Sequence, residues 1–122
     1  MRIPFDDLIF DMDTHSYFYL GKPYTGMTFD LYPDGVLRCE TTWESGLLHG
    51  LARRWYSNGQ LKHEYELADD VLNGKFTEWY PAGQKRREGI GAHGRVIRES
   101  IWDESGLLVK QTGGNPKGKE SR

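Results

Sequence analysis

Three polar groups near the N-terminus have the types and spacing to do chemistry. Asp11, Asp13 and His15 alternate with Met12 and Thr14, so on an extended strand all three would project from one side. Two carboxylates and an imidazole placed that way would supply a nucleophile and a general acid–base. A second set is His15, His49, His63 and His93 with the single cysteine, Cys39, since imidazole and thiolate are the usual zinc ligands. Spacing speaks against both sets. The chain has no Cys-x2-Cys or His-x3-His pair, no Gly-x-Ser-x-Gly elbow and no P-loop, the short motifs that would fix a metal, a nucleophile or a phosphate. Neither catalysis nor a metal or other cofactor is expected.

The elements that must position any site follow from composition. A chain of 122 residues has room for one small domain. Fifteen glycines exceed the usual ~7%, and they accompany four Trp, seven Tyr and five Phe. Sixteen Lys and Arg against 18 Asp and Glu leave a formal charge of −2, which gives no overall attraction to nucleic acid or to anionic lipid. One cysteine excludes an internal disulfide and fits a reducing compartment. No long apolar run and no leader-like start is present, so a cytoplasmic location is expected.

Glycine and the aromatics recur together. Gly35, Gly59, Gly83 and Gly106 stand 24, 24 and 23 residues apart, within Leu31-Tyr32-Pro33-Asp34-Gly35, Trp55-Tyr56-Ser57-Asn58-Gly59, Trp79-Tyr80-Pro81-Ala82-Gly83 and Trp102-Asp103-Glu104-Ser105-Gly106. Two residues after each glycine comes Leu37, Leu61, Lys85 or Leu108, and five after it Glu40, Glu64, Glu88 or Gln111. A second glycine opens units at Gly26, Gly50 and Gly74, with Arg98 at the matching place. The predicted units are approximately 26–49, 50–73, 74–97 and 98–112, in a single domain 1–112 with a disordered tail over 113–122 that has nothing apolar to bury.

Each unit reads as a β-hairpin. Pro presets φ at the first turn position, Asp or Asn tolerates the second, and Gly takes the positive φ that closes a three-residue loop. Counting back from such a loop pairs Tyr32 with Val36, Leu31 with Leu37, Asp30 with Arg38 and Phe29 with Cys39. It also pairs Arg53 with His63, Trp79 with Lys85 and Thr77 with Arg87. Alternation then gathers Phe29, Leu31, Trp43, Trp55, Tyr65, Trp79 and Trp102 on one apolar face, and Asp30, Arg38, Glu40, Arg54, Lys62 and Glu64 on the other. Cys39 and His63 fall at equivalent places in successive hairpins, two strand spacings or ~10 Å apart, too far to share a zinc ion. The segment from Ile3 to Leu20 is apolar enough to add two strands or to cover part of the sheet, with a short turn within Phe5–Asp11. The fold class is all-β: an extended, twisted antiparallel sheet of stacked hairpins.

Two resemblances bear on these residues. Leu8-Ile9-Phe10-Asp11-Met12-Asp13 resembles the strand that ends in the nucleophile of haloacid-dehalogenase-type phosphatases, but that pattern continues Gly-Thr where Thr14-His15 stand here, and its doubly wound domain needs helices. The hairpin units resemble the MORN-repeat-variant proteins, the group that includes YwqK-type antitoxins. The matching pieces are Gly50-x4-Trp55-Tyr56-Ser57-Asn58-Gly59-Gln60-Leu61-Lys62-x-Glu64, then Gly74-Lys75-x2-Glu78-Trp79-Tyr80-Pro81-x-Gly83-Gln84, and Gly21-Lys22-Pro23-Tyr24-Thr25-Gly26. The resemblance spans about Gly21 to Leu108. The pattern weakens toward the C-terminus, where Lys85 replaces leucine, Gly89-Ile90-Gly91 interrupts a strand and Asp103 replaces tyrosine.

That resemblance implies a MORN-like meander without catalysis, acting as an antitoxin or immunity protein that occludes the active site of a cognate toxin. The expected partner-binding groove combines aromatic anchors with cations, as binding hot spots do: Arg53, Trp55, His63, Lys75, Trp79, Lys85 and Arg87. Two further functions are open to the same repeat. Trp-Tyr hairpins also resemble choline-binding repeats, where aromatic cages hold a cationic ligand, and other MORN proteins serve as scaffolds or bind lipid heads. Exposed sheet edges would also allow a homodimer.

Overall fold

A computed structural model describes residues 1–113; the tail expected to be disordered lies outside the described residues apart from Gly113. Twelve strands are present among those residues: β1 (Arg2–Pro4), β2 (Ile9–Asp11), β3 (Ser16–Tyr19), β4 (Lys22–Pro23), β5 (Gly26–Leu31), β6 (Leu37–Glu44), β7 (Leu47–Trp55), β8 (Leu61–Ala68), β9 (Val71–Trp79), β10 (Lys85–Ala92), β11 (Arg95–Trp102) and β12 (Leu108–Thr112). A single 3-10 turn at Phe5–Asp7 follows β1. Strands β5 to β12 form an antiparallel meander, and β1 joins its edge parallel to β5, so the large sheet has nine strands and is not wholly antiparallel. Strands β2, β3 and β4 form a second, small sheet.

The expected turns are present. Tyr32 N–H donates to Val36 and Gly35 N–H to Tyr32, and the same two bonds recur in the turns at Gly59, Gly83 and Gly106. Gly59 adopts φ 89°, a conformation that costs a side-chain-bearing residue energy. Leu31 faces Leu37 and Trp79 faces Lys85, as counted.

One residue further, the count fails. Asp30 pairs with Cys39 and Phe29 with Glu40, because Arg38 is an extra residue in a β-bulge. The bulge recurs three residues after every turn glycine, at Lys62, Arg86 and Val109. A bulge adds a residue to one strand only and leaves the spacing of the repeats intact, so periodicity does not announce it. Its effect on the faces is large, since a one-residue shift sends every later side chain to the opposite side. Arg53 therefore faces Glu64 and not His63, and Thr77 faces Glu88 and not Arg87.

The two true faces follow from the register. The front carries Thr28, Trp43, Arg54, His63, Tyr65, Phe76, Glu78, Arg87 and Glu99. The back carries Phe29, Arg53, Trp55, Glu64, Lys75, Thr77, Trp79, Glu88, Arg98, Ser100 and Trp102. Trp43 and Tyr65 are thus separated from Trp55, Trp79 and Trp102, which an unbulged count puts together. The N-terminal sheet packs on the front, where Ile3, Tyr24 and Trp43 form a buried core against Leu8, Tyr17, Tyr19 and Leu48. Trp43 Nε1 donates to Thr28 Oγ1 at 2.8 Å, which satisfies the indole inside that core.

Two seams hold one hairpin to the next. Tyr32, Tyr56 and Tyr80 donate their hydroxyls to the carbonyls of Trp55, Trp79 and Trp102 at 2.6, 2.6 and 2.8 Å. At the opposite ends, the N–H groups of Gly46, Asp70 and Gly94 donate to the carbonyls of Tyr24, Leu48 and Leu72 at 2.8, 2.9 and 2.9 Å. Asp103 replaces tyrosine in the last unit, where no later hairpin among the described residues offers a carbonyl, and its carboxylate instead accepts from Ser105 and Leu107 N–H within its own turn. Tyr56→Phe should lower stability by about 1 kcal/mol, the net worth of one such bond, measured by urea unfolding. Asp103→Tyr should bring no gain.

The edges of the large sheet are β1, three residues ending in Pro4, and β12, which carries Lys110. Short length, proline and lysine all hinder edge-to-edge pairing. Among the described residues, no helix is long and apolar enough to cross a membrane.

Candidate functional site

The N-terminal carboxylates do not share a strand face. Asp11 ends β2, while Asp13 and His15 lie in the turn that leads to β3. Asp11 accepts from Thr14 N–H at 3.0 Å and from Thr14 Oγ1 at 2.6 Å, bonds that hold its carboxyl below its usual pKa. Its visible job is to close that turn. The histidines lie apart: His49 is near Glu44 and Asp69, His63 stacks on Tyr65, and His93 sits in the β10–β11 turn with φ 53°. Cys39 and His63 flank Arg54 on adjacent strands, the two-strand separation expected.

The seven residues expected to line one groove divide between the faces. His63 and Arg87 are on the front; Arg53, Trp55, Lys75, Trp79 and Lys85 are on the back. On the front, Glu78 is 8% exposed and its carboxylate is saturated. Arg86 donates at 2.7 Å, Arg87 at 3.2 Å and the Tyr65 hydroxyl at 2.7 Å. Arg87 also bonds Glu99 and lies over the Phe76 ring, 4.7 Å from its centroid. Burial, then the bond to Glu78, pushes the Tyr65 phenol well up. Such a network holds strands β8 to β11 in register and engages both Arg86 and Arg87.

His63 belongs to the same cluster. Burial pushes its pKa below 6.5, against the attraction of Glu78 and with the repulsion of Lys62 and Arg54. A histidine with a depressed folded pKa binds its proton more readily when unfolded, so stability is full above about pH 6.5 and is lost as pH falls towards the folded value. His63→Gln should therefore lessen the drop in Tm between pH 7.5 and 5.5, read by thermal unfolding of both proteins in matched buffers.

The back face differs because no second layer covers it among the described residues. Leu31 and Leu37, Trp55 and Leu61, Trp79 and Lys85, and Trp102 and Leu108 pair along the turn side of the sheet. Leu31 is 44% and Leu108 46% exposed. Beside this ribbon runs an ion ladder in which Arg53 contacts Glu64 at 2.5 Å and Glu40 at 3.8 Å, and Arg2 contacts Glu40 at 3.3 Å. Lys85 is held by Glu88 at 2.7 Å and not over the Trp79 ring. Thus Arg53 and Lys85, expected to supply positive charge, are neutralised within the chain.

Further along the same face, strands β9 to β12 enclose a shallow depression of about 510 Å³ lined by Lys75, Thr77, Glu88, Ile90, Arg98 and Ser100, among others. Lys75 and Arg98 are the register partners of Ile90 on its two sides, and neither has a carboxylate within 4.0 Å among the described residues. Arg98 is absent from the groove expected of the sequence. The signal for it is the break in the repeat, since Gly26, Gly50 and Gly74 hold the equivalent place. There a side chain is excluded: Gly74 has φ 135°, and a Cβ would come within 2.9 Å of Glu66 Cβ.

Comparison with curated proteins and with solved structures gives no match. The family model of the MORN repeat variant matches residues 48–68 and 72–90. These segments contain all of β8 and most of β7, β9 and β10, so the matched units are the two central hairpins. Over these two segments the chain is similar to the MORN repeat variant.

Proposed function

We propose that this chain is a non-catalytic protein-binding module, an antitoxin or immunity protein that covers the active site of a cognate toxin. The observation that carries this reading is the back face, which no second layer covers among the described residues and where the Trp55, Trp79 and Trp102 row runs beside polar residues on strands stapled to one another. Half-buried aromatic side chains beside exposed apolar ones such as Leu31 and Leu108 are what interfaces use as anchors, and a sheet fixed by two hydrogen-bonded seams presents them with little ordering cost on binding. The MORN-variant segments, together with the resemblance of the repeats to antitoxins of that group, support the toxin as the class of partner.

Co-expression with the products of neighbouring reading frames tests it. A neighbour that arrests growth alone and is tolerated with this chain is the expected result. Trp79→Ala should then weaken the purified complex about thirtyfold, the ~2 kcal/mol of a hot-spot anchor, with the fold retained by circular dichroism. If no neighbour is both toxic alone and rescued, the toxin reading is wrong.

A further inference from the structure

The depression across β9 to β12 gives the back face a second feature of a different chemistry. Most of the guanidinium and ammonium groups on that face are engaged internally: Arg2 and Arg53 with Glu40 and Glu64, and Lys85 with Glu88. Among the described residues, Lys75 and Arg98 are not. They stand on β9 and β11, one strand to either side of Ile90, so their backbones are about 10 Å apart. Both side chains are long enough to reach over the Ile90 side chain and meet on one anion. Thr77 and Ser100 lie in the next back-facing row and supply hydroxyls. Glu88, the carboxylate among the back-facing lining residues, is already neutralised by Lys85. Glu66, the next carboxylate on this face, accepts from Lys75 N–H at 2.6 Å, which leaves two side-chain cations over an apolar floor with a hydroxyl rim.

We infer that Lys75 and Arg98 form a receptor for a carboxylate side chain, Asp or Glu, borne by the partner that docks on the Trp79 and Trp102 ribbon. The ribbon and the cation pair are four residues apart along β9 and along β11, so they are separated by about 13 Å on one face. A single acidic segment laid across the hairpins spans that distance, with an apolar residue on the indoles and a carboxylate over Ile90. The inference rests on the partner-binding role proposed for this face, and it replaces Arg53, Lys85 and Arg87 as the cations that meet the partner.

The test uses the full chain and a defined probe, a capped tetraglutamate peptide, followed by amide shifts in two-dimensional NMR. Shifts confined to Lys75, Ile90, Arg98 and Ser100, weakened by 0.5 M NaCl and reduced about tenfold in affinity by Lys75→Glu with Arg98→Glu, are expected. Shifts spread evenly over Lys22, Lys62 and Lys110, or unchanged in the double variant, would overturn the receptor. Inorganic phosphate forms a second arm: if it binds at the same residues and tetraglutamate does not, the carboxylate assignment is wrong. Charge reversal at Lys75 and Arg98 that leaves neutralisation of a co-expressed toxin intact also overturns the receptor, while the toxin reading stands. Site-confined peptide binding with no toxic neighbour does the opposite: the receptor stands and the toxin reading fails.

Discussion

Phe76→Ala should destabilise the protein by about 3–5 kcal/mol, the range for removing a buried aromatic ring without collapse of the space it leaves. Phe76 is 2% exposed. Its register partners are Tyr65 on one side and Gly89 on the other, and the ring covers the glycine that has no side chain of its own. A Cβ on Gly89 would come within 2.9 Å of Phe76 Cζ, so the glycine and the ring are fitted to each other. Arg87 closes the front of the ring at 4.7 Å. The loss would be a large part of the ~5–15 kcal/mol that holds a small domain together. Trp79→Ala, on the uncovered back, should cost no more than about half as much. Urea unfolding of the two variants compares the faces directly, and equal losses would contradict their assignment.

Glu78→Ala should cost about 2–4 kcal/mol. The carboxylate accepts from Tyr65, Arg86 and Arg87 at once, so its removal strands three donors. Leaving a donor without its acceptor costs more than a hydrogen bond contributes on average, and breaking a buried ion pair from one side costs ~3–5 kcal/mol. Arg86 is 53% exposed at its side chain and can turn to water, which lowers the expected loss. Glu78→Gln keeps an acceptor for Tyr65 and should lose less than half as much. A cycle with Arg87→Met should show coupling above about 0.5 kcal/mol, as contacting residues do; additive losses would mean that the network is not one unit.

Much of this architecture is legible in the sequence because turn chemistry is local. Pro33-Asp34-Gly35 and Ser57-Asn58-Gly59 specify their loops within three residues, and their 24-residue recurrence orders the meander. Cys39 and His63 keep the two-strand separation the count gives them because equivalent places in successive units keep their relation whatever happens inside each hairpin, although the residue between them is Arg54 and not Arg53. The faces are a different matter. Arg38, Lys62 and Arg86 look like ordinary strand residues on the charged side, yet each is the extra residue of a bulge, and each bulge reverses the alternation beyond it. Simple alternation therefore puts Trp55 and Tyr65 together although the sheet lies between them. The parallel pairing of β1 is also hidden, since three residues, Arg2–Pro4, carry no pattern long enough to specify a partner. Of the site, Trp55, Trp79 and Lys75 are legible as anchors; Arg98 requires knowing which face the broken glycine position occupies.

The four indole N–H resonances give the most direct test of that arrangement. Trp43 donates its N–H to Thr28 inside the core, whereas Trp55, Trp79 and Trp102 occupy the uncovered face, and their indole nitrogens make no hydrogen bond among the described residues. Exchange of each indole proton with water, measured by NMR on the free protein, should be slow for Trp43 and fast for the other three. Protection of Trp55, Trp79 and Trp102 to the degree of Trp43 would mean that the back face is already covered, and the partner-binding account would fail.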